Sequence, residues 1–572
     1  MRTANRNGAQ MTTPAELYET HHELLDRAVE AARVRDYWSA YPESPSKSVY
    51  GEDAAPAGER AFTALLGKPF PIEVPAATGT VTTERSPYGI ELGVSYPKAD
   101  PLALVAAARA ATPAWRAAGP QGRAGVAAEI LRRINARSFE MAHAVQHTTG
   151  QAFVMAFQAG GPNAQDRGLE AVACALAEQT RLPGAAIWSK RQRGGDPLRL
   201  RTTSTVVGRG VALVIGCTTF PTWNGYPGLF ASLVTGNPVI VKPHPGAVLP
   251  LAITVQVARE VLAEAGQDPN LVTLAAEEPG DGIAATLATH PDVRIVDFTG
   301  SSEFGNWLEA NARQAVVYTE KSGLNTVIVD STDDYRGLLR NLAFSLSLYS
   351  GQMCTAPQNL LVSSGGIETD QGHRSAEEFG ADLAGALDKL LGDPRRAAGT
   401  LGAIVNDGVL SRLTEAGTAT HVVRPSAAVP DEQYPQATIR TPAIVRLDAA
   451  DEKVYTREWF GPVSFLVTTD STQHSLRLFT ETVRGHGALT ASVYSRSPEV
   501  IEAAREAALD AGVHLAENFT GGVFVNQTAA FSDLHGAGAN PAATTSLTDA
   551  QFVTGRFFTL QSRHHVTEES NA

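Results

Sequence analysis

A chain of 572 residues is too long for one ordinary hydrophobic core, so two or three domains are expected. Hydrophobic residues at 43% and charged residues at 19% are globular values and exclude a disordered chain. The formal net charge of −13 argues against nucleic acid or an anionic membrane as main partner. Cys174, Cys217 and Cys354 are too few for a disulfide framework or a multi-cysteine metal site, and they suit a reducing cytosol. With neither an apolar leader run nor a long apolar stretch, the chain reads as soluble and cytoplasmic. Met11 offers an alternative start, which makes the first ten residues a disordered tail.

Thr13-Pro14-Ala15-Glu16 has the form of a capping box with proline at the first helical position. Leu17, Leu24, Leu25, Ala28 and Val29 continue that helix towards the Tyr41-Pro42 break. Further helices are expected after Pro101 and Gly122. The basic stretch from Ile187 to Gly208, centred on Gly194-Gly195-Asp196-Pro197, predicts a projecting β-hairpin. From residue 211, apolar strands at 211–217, 238–243, 271–276 and 294–300 leave room for crossover helices at 226–236 and 247–265. This is the βαβ rhythm of a parallel sheet. A second series runs from 325–330 through a helix at 335–350 to a strand near 521–527. The boundaries that follow are an N-terminal region 1–186, a hairpin 187–209, α/β domains 210–322 and 323–530, and a weakly structured C-terminal tail 531–572.

A lone cysteine is by default a small buried hydrophobe. Cys354, however, follows an apolar helix that ends at Ser350-Gly351 and has Gln352 and Thr355 beside it, which suits an exposed, reactive thiol at a junction. Glu320 ends the apolar strand Val316–Thr319, and a carboxylate there can activate water against a thioester, or else be an ordinary solvated strand end. Gly300-Ser301 turns a strand into a helix, as pyrophosphate sites do and as many plain turns do. Lys242 ends a strand where it can hydrogen-bond a ribose or phosphate, or else be a surface lysine, and Glu458 sits before a tight turn where it can hold a second ribose. His21-His22-Glu23 lacks the later histidine of a zinc helix, so no metal site is expected.

In chain order, PVIVKP, FTGSSEFG, Glu320, GQMCT and EWFGPV resemble the motifs of the aldehyde dehydrogenase superfamily over about 211–526. The resemblance implies two Rossmann-like parallel-sheet domains, the first for a dinucleotide and the second catalytic. It further implies an oligomerisation arm at the hairpin, joined by the C-terminal segment, and hence a homodimer or larger homo-oligomer. It implies Cys354 as nucleophile, Glu320 as base, and cofactor contacts at Ile215, Lys242, His244, Gly300, Ser301, Glu458 and Phe460. The N-terminal extension, CTTFPTWNGYPGLF, GQMCTAPQNLLV and DLHGAGANPA are similar to the phenylacetic-acid-degradation (PaaN-type) branch, which implies a CoA-linked semialdehyde substrate.

There are departures from the family pattern. Thr219 stands where the family places its oxyanion asparagine, and Asn224 lies five residues on; Thr219 is ranked slightly above Asn224. The glycine pair after the base is displaced to Lys321-Ser322-Gly323. Pro245 replaces the glutamate that accepts from the ribose 2′-hydroxyl, so NADP is expected, with NAD the alternative. Two other functions are carried alongside: a CoA-acylating dehydrogenase, which Glu320 disfavours, and a non-catalytic binding protein of the same fold.

Overall fold

The computed structural model describes residues 12–566; the tail expected before Met11 lies outside them. The first helix, Pro14–Val34, starts at the expected capping box: Thr13 Oγ1 accepts the Glu16 N–H at 3.2 Å and Glu16 Oε2 accepts the Thr13 N–H at 2.7 Å. It stops short of the Tyr41-Pro42 break. Arg35 enters the left-handed region at φ 61°, where its N–H closes on the Ala31 carbonyl. The helix packs across Gly119–Ala136 and Pro162–Thr180. Their contact faces are rich in buried alanine and glycine, which lets the axes approach closely.

The first sheet has five parallel strands in the order Val272–Leu274, Val239–Lys242, Val211–Ile215, Val293–Thr299, Val316–Glu320. Alternate residues of Val211–Ile215 enter different cores. Ala212 and Val214 pack with the helices Pro221–Val234 and Leu249–Glu264, while Val211, Leu213 and Ile215 pack with Pro101–Ala117. A strand covered on both faces must be apolar at every position, which explains the unbroken VALVI run. The chain order reverses between Val211–Ile215 and Val293–Thr299, opening a crevice beyond their carboxyl ends.

The second sheet runs Val422–Arg424, Ala443–Asp448, Val463–Thr469, Asn359–Ser363, Thr326–Val329, Thr490–Tyr494, His514–Glu517, and only its first pair is antiparallel. The expected strand at 521–527 is absent. Gly521 turns the chain at φ 78°, and the last sheet strand is His514–Glu517.

The hairpin is present as Ala185–Lys190 paired with Leu198–Gly208. The C-terminal segment, expected to be weakly structured, instead returns as Phe557–His565 to add a third strand to the arm. Before that, Ala543 bridges to Glu320, extending the edge of the first sheet. The buried Arg556 fastens the segment by a two-pronged contact with Asp297 at 2.8 and 2.6 Å. Such partners lie hundreds of residues away and leave no local signal. Among the described residues, no helix is long and apolar enough to cross a membrane.

Candidate active site

The helix Tyr335–Ser347 leads into a turn in which Tyr349, Ser350 and Gly351 all have positive φ, at 52°, 51° and 62°. Left-handed backbone at two non-glycine residues needs outside support. Tyr349 Oη donates to the Thr149 carbonyl, and Ser350 Oγ donates to the Gly402 carbonyl at 3.0 Å. A Cβ at Gly351 would lie 2.5 Å from the Gly461 carbonyl oxygen, so glycine is required there. Gln352 joins the next segment, donating to the Ala403 carbonyl at 3.0 Å and accepting the Val405 N–H at 3.1 Å. Asn325 Nδ2 donates to the carbonyls of Cys354 and Ala356 at 2.7 and 3.0 Å, while its Oδ1 accepts from Leu489 and Thr490 at 3.0 Å. The polar neighbours Gln352 and Asn325 thus shape the backbone around a half-buried, free Cys354 thiol.

Glu320 ends its strand facing that thiol. Its Oε2 accepts from Asn224 Nδ2 at 3.2 Å and pairs with His535 Nε2 at 3.0 Å, while Oε1 is buried without a hydrogen-bond partner. Donor atoms of Glu320, Cys354 and His535 lie within 4.8 Å of one another. Burial opposes the charged carboxylate. His535, the thiol and Asn224 outweigh burial and hold the Glu320 carboxyl below its usual range. Burial, and then the neighbouring Glu320 charge, push the Cys354 thiol well above the ordinary value. Lys321 points back to the helix Ser302–Asn311, with Nζ 2.9 Å from Asn306 Oδ1 and 2.8 Å from Glu309 Oε1.

His535 is the site residue that sequence reasoning misses. It falls inside DLHGAGANPA, a mark of resemblance only, and no periodicity links it to position 320. Its backbone is fixed by reciprocal hydrogen bonds with Leu547 at 3.1 and 2.9 Å, and its ring meets the edge of Trp223 at 4.7 Å. The same three groups are a potential metal-ligand set that no contiguous motif announces.

The structure separates the two expected oxyanion donors. Asn224, on the first turn of Pro221–Val234, lines the cavity with Cys354, whereas Thr219 does not. Thr219 instead interacts with Cys217, whose thiol burial raises to about 11. Its carbonyl accepts from Gln151 at 2.7 Å. Of the two, Asn224 is the one that shares a cavity with Cys354, with its amide directed at Glu320 Oε2.

The cofactor candidates gather at the carboxyl edge of the first sheet. Ile215 and Lys242 end adjacent paired strands. Gly300 donates its N–H to the Glu320 carbonyl at 3.0 Å, and Ser301 Oγ caps the next helix by accepting the Phe304 N–H at 3.4 Å. Opposite them, Gln358 holds the loop of Glu458 and Phe460: it accepts the Trp459 N–H at 2.7 Å and donates to Tyr455 and Arg457 carbonyls at 3.1 Å. Glu458 faces Ser322 and Gly323, and burial raises its carboxyl.

A carboxylate that the local sequence does not point to enters here. The space beside Lys242 does hold a carboxylate, because buried Glu277, just beyond the neighbouring strand, ion-pairs with Lys242 Nζ and accepts the Ile283 N–H at 3.0 Å. His244 Nδ1 is occupied by the Gly246 N–H at 3.0 Å. The grounds for preferring NADP therefore weaken.

Cys354, Asn224 and His535 open into a cavity of about 640 Å³ walled by Trp223, Phe220, Phe344 and Phe524. A half-buried thiol, a polarised carboxylate and an amide donor around one cavity can carry acyl chemistry, and the sheet edge beside them can carry a dinucleotide.

The fold and sequence have relatives among known proteins. Residues 94–531 match the model of the aldehyde dehydrogenase family. The crystal structure of an NAD-dependent aldehyde dehydrogenase from Burkholderia multivorans superposes with a TM-score of 0.95 at 55% identity, covering 96% of this chain and 99% of that one. Vanillin dehydrogenase of Pseudomonas fluorescens is 26% identical over 74% of this chain and 83% of its own length. N-succinylglutamate 5-semialdehyde dehydrogenase of Ectopseudomonas mendocina (strain ymp) is 26% identical over 63% and 69%. Two α/β sheets meeting at Cys354 and Glu320, with a family match across both, lead to one conclusion: the chain belongs to the aldehyde dehydrogenase family of oxidoreductases.

Proposed function

We propose that the protein oxidises an aldehyde to a carboxylic acid through Cys354, with NAD as hydride acceptor and water as acyl acceptor. The observation that carries this reading is the buried, unpartnered Glu320 Oε1 beside the thiol. Glu320 takes the thiol proton as Cys354 Sγ bonds to the aldehyde carbon and passes that proton to solvent, which returns Glu320 to the carboxylate form. Asn224 and nearby backbone N–H groups hold the resulting oxyanion, each donor contributing about 3 kcal/mol. A bound nicotinamide dinucleotide supplies the hydride acceptor. The Cys354 thioester is then cleaved by water that loses its proton to Glu320, releasing acid and regenerating the thiol.

The residues at the sheet edge fit a dinucleotide: Lys242 and Glu277 for one ribose, the Gly300-Ser301 helix start for pyrophosphate, Glu458 and Phe460 for the second ribose and ring. Glu277 supports NAD over NADP, because it offers an acceptor to a 2′-hydroxyl and repels a 2′-phosphate. The Burkholderia protein is likewise described as NAD-dependent.

For the substrate we take a CoA-linked semialdehyde of phenylacetate catabolism, supported by the branch-like segments, one of which supplies His535. The exposed Ile187 and Trp188 on the arm support a homo-oligomer. The test is production of NADH with an aldehyde panel that includes CoA-linked semialdehydes. A carboxylic acid product and loss of turnover in Cys354→Ala are expected. An acyl-CoA product with strict dependence on free CoA overturns hydrolysis, and cofactor binding without any turnover overturns catalysis.

A further inference from the structure

The cavity that contains Cys354 is walled partly by a segment outside the stretch matched by the family model, which begins at residue 94. Tyr37, Trp38, Ser39 and Glu43 line it together with Cys354. The segment is built in. Arg35 pairs with the buried Glu170 at 2.6 Å and donates to the Thr548 carbonyl at 3.1 Å. Asp166 accepts from Ser39 Oγ at 2.6 Å and from the Ala40 N–H at 2.9 Å. Trp38 packs edge-on against Phe531 with ring centres 4.7 Å apart.

The lining chemistry is one-sided. Its aromatic groups include Trp38, Phe220, Trp223 and the paired Phe344–Phe524, whose ring centres lie 4.2 Å apart. Its carboxyl groups are Glu43, Asp166 and Asp533; the described lining residues include no lysine or arginine, and the imidazole of His535 is paired with Glu320. Asp166 is buried and held by Ser39 and Ala40, so the solvent-facing charge at the rim comes from Glu43 and Asp533. A tunnel of this kind favours an uncharged body and disfavours an anion at its mouth.

We infer that residues 35–43 form the outer wall of the substrate passage and select aldehydes carried on an elongated, uncharged arm, any anionic part staying beyond the rim. This rests on the reading that Cys354 attacks an aldehyde. Two sources share the chemistry: a free aryl or alkyl aldehyde, and a CoA-linked semialdehyde whose pantetheine arm is neutral and whose phosphates remain outside.

The test reads access to Cys354 without requiring turnover. The full chain is alkylated with iodoacetamide, with its N-(2-phenylethyl) derivative, and with an N-(5-carboxypentyl) derivative. Rates at Cys354 are followed by mass spectrometry and normalised to N-acetylcysteine. The elongated neutral reagent is expected to exceed the elongated anionic one by about tenfold. Trp38→Ala should lower the elongated-to-short ratio by about tenfold. Glu43→Lys, an exposed substitution that spares folding, should narrow the neutral-to-anionic gap several-fold. Equal rates for the two elongated reagents, or unchanged ratios in both variants, overturn the inference. Oxidation of phenylacetaldehyde against a CoA-linked semialdehyde then distinguishes the two sources. The expected alkylation pattern without oxidation of any aldehyde sinks the proposed activity and leaves the wall standing.

Discussion

Glu277→Gln isolates the charge beside Lys242 and leaves the shape of the site almost unchanged. The carboxylate and its lysine partner are both buried, and Glu277 also accepts the Ile283 N–H, a role the glutamine carbonyl can keep. Across roughly 5 Å at an effective dielectric of about 20, a 2′-phosphate meets about 3 kcal/mol of repulsion per unit charge, before screening lowers it. For NAD, the loss is that of a charged acceptor for the 2′-hydroxyl, about 1.5–3 kcal/mol. Together these come to about 4.5–6 kcal/mol, and with screening removing about half of it the NADP-to-NAD ratio of kcat/KM should rise on the order of a hundredfold, since each 1.4 kcal/mol is about a factor of ten. The assay is initial-rate kinetics with both cofactors and one aldehyde, alongside fluorescence titration of NADH and NADPH. Removing one partner of a buried pair can cost about 3–5 kcal/mol, so thermal unfolding is followed in parallel. A wild-type preference for NADP, or a ratio that moves less than about threefold in a folded variant, would refute the role given to Glu277.

Three further outcomes are expected. His535→Ala removes the leading cause of the lowered Glu320 carboxyl, while burial stays. The ionised carboxylate is the working form, present above its pKa and lost as pH falls; in the variant that loss should begin at higher pH, with His535→Gln restoring part of the profile. In the oxyanion comparison, Asn224→Ala should lower kcat on the order of a hundredfold and Thr219→Ala less than about threefold, and the opposite order would restore Thr219. Arg556→Leu leaves Asp297 buried and unpaired, so it should cost about 3–5 kcal/mol in urea unfolding; a loss under about 1 kcal/mol would mean that the C-terminal segment docks by other contacts.

Much of the site is legible in the sequence because it lies where local patterns end. Lys242 follows an unbroken apolar run, and Thr299-Gly300 and Glu320 follow mainly apolar strands; a parallel strand covered on both faces is largely apolar, with its carboxyl end at the crevice. Cys354 is marked by the polar residues that bend its loop, which Gln352 and Asn325 do by hydrogen bonding backbone. The two α/β series, the hairpin and the thiol with its carboxylate are therefore written into the primary structure. The groups that surround them are settled by assembly of the fold. His535 reaches Glu320 across 215 positions, Glu277 reaches Lys242 from just beyond the neighbouring strand, and Trp38 reaches the same cavity as Cys354 from the other end of the chain. None of these contacts repeats with a helical or strand period. They follow from how the crossovers close and where the chain ends fold back, and so they appear only once the sheets are assembled.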